Sequence, residues 1–294
     1  DALQRPSLDA LLPRLVEHDE LPAAGALSSL RTNMGMIAGP ALGGVLVATL
    51  GLAGTYGIDV ATFIFSLLAL RLMRAVPPPP DAERPSLRRI VEGLQYARSR
   101  PELMGTYLVD MVAMFFGMPM ALFPAIASIY GGPSILGLLY AAPAVGSFLA
   151  TATSGWTGHV HRHGQAVLIA AGAWGLAITG FGLSRVLPLA LLFLALAGGA
   201  DMISGLFRMT IWNQTIPDSL RGRLAGIELV SYASGPTLGN VEAGAVATVF
   251  GVRTSVVSGG VLCVLGTALL AFALPLFWRY DGRSHGVAVS RPVL

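Results

Sequence analysis

The sequence predicts an all-α, polytopic membrane protein, on three observations: a composition too apolar for water, apolar stretches of bilayer-spanning length, and a one-sided distribution of arginine. Hydrophobic residues make up 54% of the chain and charged residues 12%, with a mean hydropathy of +0.67. An ordinary soluble domain carries about 25% charged residues. Crossing about 30 Å of hydrocarbon takes about 20 helical residues. Segments of that length lie at 33–51, 54–74, 104–130, 134–156, 166–184, 187–215, 224–250 and 253–278, which predicts eight transmembrane helices.

Taken in order, residues 1–30 mix apolar side chains with Arg5, Arg14, Glu17, Asp19 and Glu20 and read as an aqueous connection. The junctions at 130/134, 184/187 and 250/253 are short and marked by Gly or Pro, which predicts antiparallel hairpins. The loops assigned to one side hold Arg5 and Arg14, then Arg74, Arg84, Arg88, Arg89, Arg98 and Arg100, then Arg162, then Arg221 and Arg223, then Arg279 and Arg283. The opposite loops hold only Arg185 and Arg253. A basic excess marks the cytoplasmic side, so both visible ends are expected there. Between 75 and 102 the membrane pattern stops. Pro77–Pro80 form a stiff spacer, and Leu87, Ile90, Val91 and Leu94 fall at helical spacing opposite arginines, which reads as a surface helix linking two bundles. Lipid sensing by that helix is the other reading.

All 19 basic residues are arginine. Without a lysine the chain is no Walker-A ATPase, pyridoxal-phosphate enzyme or retinal protein. That leaves an ion gradient or a partner chain as the energy source, and no cofactor is expected. The net charge of +3 sits mainly in loops and is read as orientation information rather than nucleic-acid affinity. Cys263 stands alone in an apolar run, so a buried, inert thiol is predicted. The chain opens at Asp1 with no signal peptide, and an upstream part is expected to be missing.

Gly35, Gly39 and Gly43 recur every four residues, so on a helix they form one bare stripe that another backbone can approach; Gly44 adjoins it. Pro40 removes a backbone donor and permits a bend there. Ser231, Gly235-Pro236 and Gly239-Asn240 repeat these offsets six predicted helices later. Parallel six-helix repeats are a transporter architecture; chance similarity of two short Gly-Pro motifs is the alternative. The repeat divides the chain into 1–76 (the end of a first six-helix bundle), 77–102 (linker), 103–280 (second bundle) and 281–294 (tail), with four helices expected upstream.

Gly35-x3-Gly39-Pro40-x2-Gly43-Gly44 resembles the fifth-helix antiporter motif of the major facilitator superfamily, with Ala26 standing where that pattern has a further glycine. The stretch from Gly155 to Gln165, with Arg162 and Gly164, is similar to the loop after helix eight, histidines replacing its usual acid. Pro217-Asp-Ser-Leu-Arg221-Gly222-Arg223 is similar to the loop before helix eleven. With Gly199-Ala-Asp201 through Arg208, the chain looks most like the enterobactin (siderophore) exporter branch of the drug:proton antiporters. The resemblance implies a fold of six plus six helices and alternating access in a bacterial cytoplasmic membrane. It also implies a small-molecule substrate and protons as partners, and a monomer. On that reading Gly235, Pro236 and Gly239 join the first Gly-Pro stretch as a conformational interface, and the loop residues form cytoplasmic gates.

An ionisable group in hydrocarbon costs about 2.5–3.5 kcal/mol on insertion scales, so each one asks for a reason. Asp201 lies mid-helix, Arg208 is two turns on along the same face, and Asp110 sits about 10 Å into its helix. The functional reading is a cavity carboxylate, Asp201 or Asp110, that exchanges a proton while Arg208 pairs with it in one state. The structural reading is a permanent pair that sets helix register. Glu242 and Asn240 are further pathway candidates, Asp59 reads as a cap or an interface residue, and Glu228 can meet Arg221 or Arg223. Trp174, Trp212, Pro119, Pro124 and Pro143 are candidates for shaping an apolar cavity, with ordinary packing or interfacial anchoring as the alternative. His159, His161 and His163 alternate in a charged turn without an acid or cysteine to complete a zinc site, so no metal is expected. The protein reads as a secondary exporter; a membrane scaffold or sensor is the alternative, and no catalytic motif supports an intramembrane enzyme.

Overall fold

The computed structural model describes residues 21–72 and 94–283, apart from some side chains within 21–52 and 218–233. The helices group into two compact units, one of residues 1–85 with 133–141, the other of 86–132 with 142–294.

In the first unit, α1 (Leu21–Leu72) is divided at Gly51, whose φ of 68° and ψ of 177° suit glycine alone. The divide falls where the sequence placed a junction. The helix begins at Leu21 rather than near residue 33, because charge excludes a residue from hydrocarbon without excluding it from a helix. From Ala53 to Leu72 the apolar side chains, Phe63, Phe65 and Leu72 among them, are exposed on all sides within the unit. Among the described residues, no heavy atom lies within 4 Å of where a Cβ would stand on Gly35, Gly39 or Gly43. Pro40 and Gly44 lie in the same helix, their side-chain positions outside the described residues.

The second unit runs through α2 (Pro101–Phe116), a 3₁₀ turn at Met120–Leu122, α3 (Phe123–Tyr130) and the latter part of α4 (Pro133–Ala152). A 3₁₀ stretch at Ser154–His159 leads into α5 (His163–Leu183), followed by α6 (Leu187–Thr215), α7 (Asp218–Phe250), α8 (Val252–Ala273) and the short α9 (Pro275–Trp278). Among the described residues, six helical stretches are long and apolar enough to cross a membrane. The two further predicted spans, 33–51 and 224–250, are helical as well.

α5 is the centre of this unit. It packs on both α6 and α8, and α2 packs on α7 and α8. Val167, Leu168, Trp174, Ile178 and Phe181 supply its buried surface. Against α8 the approach is close enough that a Cβ on Gly175 would stand 2.9 Å from the Gly260 carbonyl oxygen. In a bilayer, where lipid tails are as apolar as leucine, such backbone proximity is what drives helix association. Cys263 is buried in this seam, its Sγ 3.7 Å from the Ala171 carbonyl.

Three predicted spans end or break early. The predicted 104–130 helix is two, separated by Gly117-Met118-Pro119 and a 3₁₀ turn, because Pro119 lacks a donor and Pro124 starts the next helix. Asn240 on α7 accepts a hydrogen bond from the Ala121 N–H at 2.8 Å, satisfying a donor at the break. Asn240 is thus engaged with the backbone here. The helix predicted to 156 ends at Ala152, and the one predicted to 278 ends at Ala273 ahead of Pro275. Of the linker's predicted apolar face, Leu87, Ile90 and Val91 lie outside the described residues. Residues 94–99 are helical, but Leu94 is exposed and Ala97 is buried, because this turn packs with Ala97 and Tyr96 against Leu103, Tyr107 and Leu224.

Candidate functional site: a buried carboxylate–guanidinium cluster

Asp110 on α2 and Arg208 on α6 meet in an ion pair, their side chains 10% and 9% exposed. A second Arg208 nitrogen lies 3.6 Å from Asp201, whose side chain is 42% exposed. Helical side chains lean toward the N-terminus, which is how Arg208 reaches back along α6 toward Asp201. Ser204, buried, occupies the turn between them. The Arg208 Nε is buried without a hydrogen-bond partner among the described residues.

One turn away on both helices, the Trp212 indole N–H donates to the Thr106 hydroxyl at 2.9 Å. Residues 106 and 110 on α2 therefore face 212 and 208 on α6, the register of two antiparallel helices joined by polar rungs four residues apart. Tyr107 adds a ring contact with Trp212 at 5.9 Å. The strip continues at the end of α6, where the Tyr96 hydroxyl donates to the Thr215 carbonyl at 2.8 Å and Tyr280 donates to Gln214 at 3.1 Å. Tyr280 is buried, which raises its phenol pKa. The sequence reading missed Thr106; the signal available was its four-residue offset from Asp110, matching that of Trp212 from Arg208. Thr106→Val leaves a partly buried indole donor unpaired and is expected to cost about 1 kcal/mol, read as a lowered thermal midpoint. Thr106→Ser should retain most of the stability.

Glu242 is half-buried on α7 with no ion pair to the cluster among the described residues, so the structure does not join it to the other three. Gly235 and Gly239 lie against α2: a Cβ on Gly235 would stand 3.1 Å from the Met114 Cβ, and one on Gly239 would stand 2.7 Å from the Phe115 carbonyl oxygen. Pro236 sits between them inside α7. Gly155 lies in the 3₁₀ stretch, Arg162 precedes α5 and is exposed, and Gly164 is buried against the Phe277 carbonyl. Arg221, Gly222, Arg223 and Glu228 are in α7, their side chains outside the described residues, and Asp59 is exposed on α1. Trp174 is buried beside Gly117, at the break. Among the described residues no group of three His, Cys, Asp or Glu side chains is placed to hold a metal ion.

A family profile described as transmembrane secretion effector matches residues 1–286. The chain belongs to this branch of the major facilitator superfamily. Membership places it in a family of multi-pass membrane proteins. Within the superfamily it is similar to the enterobactin exporter EntS of Citrobacter koseri, 32% identical over 266 residues. That match covers 90% of this chain and 64% of the relative. The enterobactin exporters EntS of Escherichia coli O1:K1 and Shigella boydii serotype 18 are each 30% identical over 272 residues, covering 92% of this chain and 65% of the relative. The chain thus spans just under two thirds of the length of these relatives.

Proposed function

We propose that this chain is part of a proton-coupled exporter of a small amphipathic organic molecule, a drug or a siderophore, working by alternating access in a bacterial cytoplasmic membrane. In this reading residues 103–280 form one six-helix bundle, 1–76 contribute to the other, and both ends of the chain lie in the cytoplasm, on the side favoured by the arginine distribution. The exporters to which the chain is similar support the direction and the size class of the cargo.

The observation that carries the coupling is the unequal exposure of two carboxylates around one guanidinium. Both ionised, the cluster has a net charge of −1, and one added proton brings it to zero. Asp110 is buried against Arg208 and anchors it. Asp201, four times as exposed, is where the proton enters and leaves. A proton crossing the membrane potential yields about 2.3 kcal/mol per 100 mV, enough to sustain a cargo ratio of a little under two decades. Vesicles holding the full-length protein, given an imposed pH gradient, test this. Asp201→Asn is expected to cut pH-driven flux at least about tenfold while cargo exchange at equal pH persists, a conservative estimate for removing the coupling group. No pH-dependent flux in the unsubstituted protein would sink the antiporter reading. Coupling unchanged in both Asp201→Asn and Asp110→Asn would assign the cluster to helix register alone.

A further inference from the structure

We propose that the groove between α5 and α6 holds an acyl chain of an anionic glycerophospholipid, with the lipid phosphate at Arg162. The groove encloses about 620 Å³, within the usual range of ligand sites. Its walls are Ile169, Ala170 and Ala173 of α5 and Ala200, Ile203 and Phe207 of α6. The alanines make the surface concave, and Ile169 is 64% exposed within it.

One end is polar. Arg162, His161 and Arg283 line it, and Trp156 stands at the rim with its ring 6.2 Å from that of Phe207. Arg283 is bound to Asp281 through two hydrogen bonds, at 3.2 and 2.9 Å, and these hold the Asp281 carboxyl well below the usual carboxylate range. That pair is neutral overall. Arg162 has no ion pair among the described residues, so it leaves the polar end with one net positive charge.

Apolar wall and charge are matched in length to one lipid leaflet. From Arg162 to Ala173 the rise along α5 is about 16 Å, about half the hydrocarbon thickness. A phosphate at Arg162 therefore sits at headgroup level while the chain beneath it reaches mid-bilayer, and a tryptophan at the rim suits the interface between them. Basic residues at the cytoplasmic surface attract anionic headgroups. A small soluble phosphate would meet the same cation but would leave the long apolar wall bare.

The test is native mass spectrometry of the full-length protein, titrated with phosphatidylglycerol or phosphatidylcholine of identical chains. Phosphatidylglycerol is expected to bind at least tenfold more tightly. Arg162→Gln should bring that preference to threefold or less. Ala173→Phe should weaken retention of both lipids about tenfold by filling the groove; Ala173 is exposed, so the ring does not enter the core. Equal retention of the two lipids, a preference untouched by Arg162→Gln, or full competition by glycerol phosphate alone would each overturn the proposal.

Discussion

Arg208→Leu is expected to cost the protein about 3–5 kcal/mol, the effect of stripping one partner from a buried ion pair. The loss arises less from the missing attraction than from Asp110, which is left charged and enclosed, with Asp201 adding like charge nearby. The companion variant decides the cause. Replacing both Asp110 and Arg208 by leucine removes the stranded charge, and the midpoint of thermal unfolding should recover most of the way toward that of the parent. If the double variant is as unstable as the single, the damage lies in packing between α2 and α6 and the electrostatic account fails. Flux should be lost in both variants, which separates folding from coupling.

Gly239→Leu is expected to destabilise by about 3 kcal/mol, at the upper end of the range for overpacking. Even a single Cβ at this position would lie 2.7 Å from the Phe115 carbonyl oxygen and 3.1 Å from the Phe115 Cα, and backbone atoms do not rotate aside. Gly244, on the same helix, is the control: nothing among the described residues lies within 4 Å of its Cβ position. Gly244→Ala should leave stability unchanged or raise it by up to about 1 kcal/mol through helix propensity. Matching midpoints for Gly239→Leu and Gly244→Ala would show that α7 and α2 are not in close contact.

These two predictions rest on features that the sequence exposed to different degrees. Gly235 and Gly239 were readable as a bare stripe because helical periodicity alone puts them on one face, although the surface they meet, Met114 and Phe115, is a tertiary fact. Likewise Asp201 and Arg208 are placed on one face by a seven-residue spacing. Which acid takes Arg208 most closely was not readable, since Asp110 lies on another helix and only antiparallel register brings it there. Helix boundaries in the 104–130 span were obscured for a different reason. Hydropathy rewards Met118 and the apolar residues around it whether or not the backbone is helical, so an apolar break at Gly117 to Pro119 leaves no mark on it. The linker helix shows the same limit at small scale: the periodic pattern favoured Leu94 as an inward residue, but the turn into α2 directs Ala97 and Tyr96 inward instead.

A pivot placed at the break after α2 would act on a short arm. Asp110 is seven residues from Gly117, a radius of about 10 Å. A tilt of about 10° about Gly117 would carry the carboxylate through about 2 Å, enough to part it from a guanidinium fixed on α6. α3 need not follow, since Asn240 tethers the turn at its own end. Leverage of this kind would let a small angular change at one end of a helix act as a discrete make-or-break event at an ion pair.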